Sequence, residues 1–191
     1  MKRCVPEAPL DLYVAEVLRF SKALNLTSIH DAGEFQSRFI EPSLALGEII
    51  PDQGRLLDIG SGMGIPGVPV LLTRPGLHGL LVERRQKRAE FLRHLKRMLG
   101  LHAEIYDEDV RKLSPLDADV IVARAVAAPP QLLLLCTRHS RKGTIAVLSV
   151  SRGAKKASVP GWRFMEEYHF QLSRGDMPIH KYIYESVSRE T

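Results

Sequence analysis

The sequence predicts an α/β fold, a mostly parallel sheet with helices on both faces, entered through an N-terminal helical extension. Three observations carry this expectation. Short apolar runs alternate with amphipathic helical stretches, the grammar of strands joined by crossover helices. A glycine-rich turn, Gly60 to Gly64, falls between a buried strand and the start of a helix. An acid, Glu83, closes the strand after that.

Taken in order, residues 10 to 24 place Leu10, Val14, Val17, Leu18 and Leu24 at spacings of three and four, which is an amphipathic helix. A second helix is predicted over about 34 to 48. Arg55 to Ile59 reads as a short buried strand, and Gly67 to Leu72 opens a helix with Pro66 near its first turn. There follow a strand over 79–83, a helix over 85–99, a short strand near 103–106, a strand over 119–123, a helix over 129–139 and a strand over 144–149. Trp162 to Leu172 and Lys181 to Val187, separated by Arg174-Gly175-Asp176, read as two longer strands, antiparallel, closing one edge. No repeat and no Pro/Gly/Ser-rich linker divides the chain, so one domain is expected, with a helical extension over 1–50 and the sheet over 54–191.

Composition sets the outer limits. With 191 residues, 45% of them apolar, the chain can fill one sizeable core, which excludes a disordered chain and a disulfide-stapled miniprotein. Cys4 and Cys136 form no CxxC pair and the histidines show no ligand spacing, so no metal site is expected. Pro6, Glu7, Pro9 and Asp11 break up the stretch that a secretory signal would need. The apolar runs at Val68 to Leu72 and Leu132 to Cys136 are far short of the roughly 20 residues that span a bilayer. A cytoplasmic protein is expected. The net charge of +5 is unevenly divided, −2 over residues 1–50 and +7 over the remainder, which leans toward a polyanionic partner for the sheet portion.

The stretch from Leu56 to Gly67, LLDIGSGMGIPG, is the most informative. Glycines between a strand and a helix leave no β-carbon in the way of a ligand, and in an open parallel sheet the crevice beyond the strand ends is where ligands bind. A dinucleotide fingerprint counted from Gly60 would need glycine at position 65, where Ile65 stands, so a nicotinamide oxidoreductase is disfavoured. The pattern is instead GxGxG preceded by Asp58, the first motif of S-adenosylmethionine-dependent methyltransferases with a Rossmann-like sheet. Glu83 lies 19 residues beyond Gly64, near the offset at which a carboxylate meets ribose hydroxyls. A tight structural turn and a solvated strand-end acid are the plainer alternatives. Glu104, Asp107, Glu108 and Asp109 follow the third strand and read as a solvated turn, with adenine better held by backbone near Val110.

Several stretches together resemble the RsmG (GidB) family, class I methyltransferases that form 7-methylguanosine in 16S ribosomal RNA. They are ALNLTSI (23–29), LDIGSGMGIPGVP (57–69), LVERRQKRAEFL (81–92) and ARAVA (123–127), and their order and intervals agree over roughly residues 10 to 153. The resemblance implies a Rossmann-like methyltransferase fold, S-adenosylmethionine as cofactor and 16S RNA or the small ribosomal subunit as partner; a monomer is expected. By position it also implies that Gly60 and Ile65 line the cofactor pocket, that Val110 and Arg111 flank the adenine and that Arg124 reaches the active-site cleft; Gly62 and Gly64 of the GxGxG turn are expected to contact the cofactor too, and Glu83 keeps the ribose role argued from its spacing.

The chain departs from the family in four places. Phe39 and Pro42 stand where the family commonly has His and Asp, Arg111 and Lys112 stand where it carries acids, Arg152-Gly153 replaces Lys-Gly, and the C-terminal end matches poorly. A different acceptor, small molecule or protein, and a ribosome-associated binding protein without activity are the competing readings.

The chemistry fits a ring nitrogen. No (Asn/Asp)-Pro-Pro-aromatic motif for exocyclic amines follows strand four, and Cys136 lies in the apolar stretch QLLLLCTRH, where a thiol is inert. The lone pair of guanine's ring nitrogen at position 7 is free at neutral pH, so orientation can do the catalysis without a general base. Arg124 is the candidate positioning residue, for the methionine end or for the guanine edge, which its planar donor fork suits. Two segments are basic: seven Lys or Arg between Arg84 and Arg97 against Glu90 alone, and eight without an acid from Val120 to Met165. Arg141, Lys142, Lys155 and Lys156 are the candidate RNA-backbone contacts.

Overall fold

A computed structural model describes residues 7–124 and 128–186. Cys4, the last three residues of the ARAVA stretch and Val187 lie outside the described residues.

The strands are β1 (Gly54–Ile59), β2 (Leu77–Val82), β3 (Ala103–Tyr106), β4 (Ala118–Ala123), β5 (Ser140–Ser149), β6 (Trp162–Leu172) and β7 (Gly175–Tyr184). They form one sheet in the order β3-β2-β1-β4-β5-β7-β6. All pairs from β3 to β5 are parallel, while β7 runs antiparallel to both β5 and β6. The order reverses between β1 and β4, so a crevice opens at the carboxyl ends of these two strands, the usual ligand position in an open α/β sheet.

Alternation along the strands builds a core on each face. Leu56, Leu81, Val120, Val122 and Val147 point to one face, where they meet α1 (Glu7–Leu24), α4 (Gly67–Thr73) and α5 (Gln86–Leu99) through Val14, Val17, Val68, Leu71, Phe91, Leu92 and Leu95. Leu57, Ile59, Leu80, Ile121 and Leu148 point to the other, packed against Leu132, Leu133 and Cys136 of α6 (Pro129–Thr137) and against Trp162 and Tyr182. Helices therefore cover both faces, as the alternating pattern predicts. Cys136 is fully buried and its thiol is pushed far up by desolvation, which makes it an inert core residue.

Two elements differ from the sequence reading. The second helix is three pieces in one run: α2 (Ala32–Phe35), capped by Asp31, whose Oδ1 accepts from the Glu34 amide at 2.7 Å, then a π-helical turn (Gln36–Ile40), then α3 (Glu41–Glu48). The last strand begins at Gly175 rather than Lys181. Pro178 argues against a strand there because proline cannot donate to a ladder. It is tolerated because the β5–β7 ladder runs only from Ile179 onward and Pro178 is used there as an acceptor alone, its carbonyl taking the Val150 amide at 3.1 Å.

Candidate active site

The turn after β1 is tied into the carboxyl edge of the sheet by its own backbone. The amides of Gly60 and Ser61 both donate to the Val82 carbonyl, at 2.9 and 3.0 Å, and those of Gly64 and Ile65 both donate to the Ser61 carbonyl. Gly64 holds a φ of 100°, and a β-carbon there would stand 2.6 Å from Val68 Cγ2, so only glycine fits. Gly67 is required by close approach instead: its β-carbon would meet Asp58 Oδ2 at 2.6 Å and Leu81 at 2.8 Å.

Asp58 is the internal anchor of this turn. Its Oδ2 accepts from the Gly67 amide at 3.0 Å, at the start of α4, while Oδ1 is buried without a hydrogen-bond partner. Burial, offset only in part by the bonds from Gly67 and Ser61 and reinforced by nearby Glu83, pushes its carboxyl up to about 7. Tyr13 of α1 donates to the Met63 carbonyl at 3.1 Å, fastening the N-terminal helix to the turn.

Glu83, immediately after β2, is only 6% exposed. Its Oε2 accepts from the Gly62 amide at 3.0 Å and its Oε1 from the Arg85 amide at 2.8 Å. Each carboxylate oxygen has a second lone pair, so two further hydroxyl donors can be accepted. Glu83 thus braces the glycine turn and also faces a cleft of about 410 Å³, walled by Gly60, Glu83, Arg88, Asp109, Val110 and Arg111 among others. That volume lies in the range of small-ligand sites.

The far wall of this cleft is a 3₁₀ turn, Val110–Lys112, capped by Asp109. Asp109 Oδ1 accepts from both the Arg111 amide and the Arg111 guanidinium, at 3.0 and 2.9 Å, so the Arg111 amide is already used; the same bonds hold the Asp109 carboxyl far below its ordinary range. Val110 is positioned from behind by buried His139, whose Nε2 lies 2.9 Å from its carbonyl oxygen and donates to it as the neutral ring that burial favours. The predicted solvated acids are all engaged: Glu104 by Tyr106 and His78, Asp107 by Arg93, Glu108 by Lys112.

The structure brings Gly60, Glu83, Val110 and Arg111 to the lining of one cleft, while Gly62, Gly64 and Ile65 belong to the adjoining turn and are not part of that lining. Arg124 is elsewhere. It follows β4, whose Val122 pairs with Asp58, so it emerges at the same carboxyl edge beside Gly60 but lines a second cleft of about 520 Å³. It does not pair with Asp119, which is held by the Arg55 amide and Arg141. Its guanidinium stacks 4.7 Å from the centroid of Phe39, and its Nη1 is buried without a hydrogen-bond partner. Desolvation and facing Arg38 both lower its pKa.

One expected RNA-facing pair moves away from the site. Arg141 and Lys142 begin β5 and so lie at the amino ends of the parallel strands, across the sheet from both clefts, with Arg141 bound to Asp119. Sequence order alone had them flanking the cleft; strand direction separates them from it. Reading the sequence also missed His139 and Arg38, and only tertiary contact marks either one.

No helix among the described residues is long and apolar enough to cross a membrane. Among the described residues no cluster of His, Cys, Asp or Glu is placed to hold a metal ion.

The fold is shared with solved structures at low identity. TYW2 of M. jannaschii, solved with AdoMet, aligns with a TM-score of 0.57 at 13% identity over 76% of this chain and 75% of that one. The tRNA methyltransferase TrmK of B. subtilis aligns at 0.56 and 12% identity over 79% and 67%. In sequence, ribosomal RNA small subunit methyltransferase G of Paracoccus denitrificans is 38% identical over 175 residues, 89% of this chain and 91% of its own. The protein of the same name from Xanthomonas axonopodis pv. citri is 34% identical over 170 residues, 86% and 80% of the two chains. The family model for rRNA small subunit methyltransferase G (GidB) matches residues 7–158, which span the glycine turn, Glu83, the 3₁₀ turn and Arg124, and the chain belongs to that family.

Proposed function

We propose that this chain transfers a methyl group from S-adenosylmethionine to the ring nitrogen at position 7 of a guanine in 16S ribosomal RNA, with cofactor in the Glu83 cleft and acceptor approaching from the Arg124 cleft. The observation that carries this reading is Glu83: a buried carboxylate at the carboxyl end of β2, next to the strand at which the order reverses, half of whose acceptor capacity is used by backbone while the side chain lines a nucleoside-sized cleft. The residues fit the cofactor. Glu83 would take the ribose hydroxyls, Gly60 would allow close approach, and the Val110 turn would flank the adenine. Bound there, S-adenosylmethionine supplies an electrophilic methyl group on a positively charged sulfur.

The rest is positioning. Glu83 and the turn it braces keep the ribose end fixed, and His139 keeps Val110 at a set depth. Arg124, stacked on Phe39, would donate to the carbonyl oxygen of guanine and leave the lone pair of the neighbouring ring nitrogen free to attack. No proton leaves that nitrogen on methylation, so no general base is required, and alignment supplies the acceleration. The reading includes a cytoplasmic, monomeric, single-domain enzyme.

The test is incubation with labelled S-adenosylmethionine and unmodified 16S RNA or small subunits, then digestion to nucleosides. Labelled 7-methylguanosine is the expected product. Cofactor binding with no labelled 7-methylguanosine from either substrate would favour another acceptor or a binding protein of the same fold.

A further inference from the structure

The second cleft has a lining that the cofactor reading leaves unused. Arg38, Arg124, Arg152 and Arg174 all face it, against Asp176 as the one acid. Asp176 is already committed, to His169 at 3.0 Å, to Gln171 at 3.3 Å and to Arg152 at 3.7 Å. A cleft with three net positive charges and a buried, unpartnered guanidinium nitrogen at its back is built for an anion with acceptor oxygens. About 520 Å³ is more than a single phosphate needs.

Its walls come from distant parts of the chain. One is the π-helical turn and the start of α3, contributing Arg38 and Pro42; the other is the β6–β7 hairpin, contributing Arg174 and Met177. A clasp joins them: Glu41 Oε2 accepts from the Ser173 amide at 2.9 Å and its Oε1 from the Ser173 hydroxyl at 2.6 Å. The hairpin lies beyond residues 7–158, the segment that the family model matches. The first wall holds the segment in which Phe39 and Pro42 depart from the family pattern.

We infer that this cleft is the slot for the nucleotide being methylated together with its flanking phosphodiester, Arg38, Arg152 and Arg174 contacting phosphate and the Glu41–Ser173 clasp setting the slot's width. The inference rests on the RNA methyltransferase reading above and extends it to residues of the β6–β7 hairpin, beyond the segment that the family model matches. A phosphodiester chain suits several arginines carried by separate elements, each meeting a different oxygen, better than a single compact anion does.

The experiment compares wild-type protein with the Arg38→Glu/Arg174→Glu variant, its neutral counterpart Arg38→Gln/Arg174→Gln, and Glu41→Ala. Binding of a 16S RNA fragment is measured across a salt series, and S-adenosylmethionine binding is measured separately. Both arginine variants should weaken RNA binding at least tenfold and reduce the salt slope by about 1 per arginine. Glu41→Ala should raise the KM for RNA severalfold. All should bind S-adenosylmethionine as wild type does. Wild-type protein that methylates RNA while the arginine variants keep its RNA affinity and salt slope would overturn the slot but leave the function standing. Wild-type protein that binds the cofactor yet neither binds nor methylates RNA would remove the functional reading and the slot with it. Displacement of the RNA by millimolar inorganic phosphate or guanosine monophosphate would make the cleft a free-anion site and overturn the RNA assignment.

Discussion

Glu83→Gln separates the two jobs given to this side chain. In the native protein the carboxylate accepts from the Gly62 and Arg85 amides at 3.0 and 2.8 Å and is 6% exposed. A glutamine amide keeps one accepting oxygen and turns the other position into a donor, so one of the two backbone N–H groups loses its partner. That costs about 1–3 kcal/mol of stability, or a fall in melting temperature of about 2 to 12 °C for a chain of this size. The same exchange removes one charge-assisted bond to a ribose hydroxyl, about 1.5–3 kcal/mol, so the Kd for S-adenosylmethionine should rise roughly 10- to 150-fold. Thermal melts and titration calorimetry read the two effects independently. A variant that melts early but binds the cofactor within threefold of wild type would refute the ribose role and leave Glu83 as a brace for the glycine turn alone.

Further outcomes can be stated for three other positions. Arg124→Ala and Arg124→Lys should both retain cofactor affinity, since the side chain lies in the second cleft, and both should lose RNA methylation about tenfold or more, because a lysine cannot reproduce the planar fork; equal kcat/KM in Arg124→Lys and wild type would contradict this. Asp58 carries a pH signature. Its carboxyl rises from 3.8 unfolded to about 7 folded, so the native state holds a proton that the unfolded chain has lost across that window, and stability falls as pH rises through it, by on the order of 4 kcal/mol at most. Asp58→Asn should flatten the fall, so that urea midpoints of the two proteins diverge between about pH 4 and pH 8; parallel profiles would count against it. His139→Ala removes the donor to the Val110 carbonyl and should raise the Kd for S-adenosylmethionine while leaving RNA affinity unchanged, and a parallel loss of both would instead point to general destabilisation.

Much of the sheet could be read from local pattern because β1, β2 and β4 each hold a short apolar run whose alternate residues face two cores. The hairpin start was harder, since Pro178 reads as a breaker unless the length of β5 is known. In the site, the glycine turn and Glu83 were legible because both sit at strand ends and their separation along the chain is bounded by one crossover helix. The sequence could not say that the Gly62 amide is bound to Glu83, nor that the Arg111 amide is spent on Asp109.

What residue pattern alone supplies is the order of strands and helices, the glycine turn, the acid after β2 and the basic excess of the sheet portion; these follow from short-range periodicity and spacing. What needs the folded chain is the division of one carboxyl edge into two clefts. Arg124 and Gly60 are neighbours there only because β4 pairs with β1, and Arg141 is removed from it because β5 runs parallel to both. The clasp of Glu41 on Ser173 joins residues 132 apart in sequence. Contacts of that range depend on strand register and direction, which no local sequence pattern encodes.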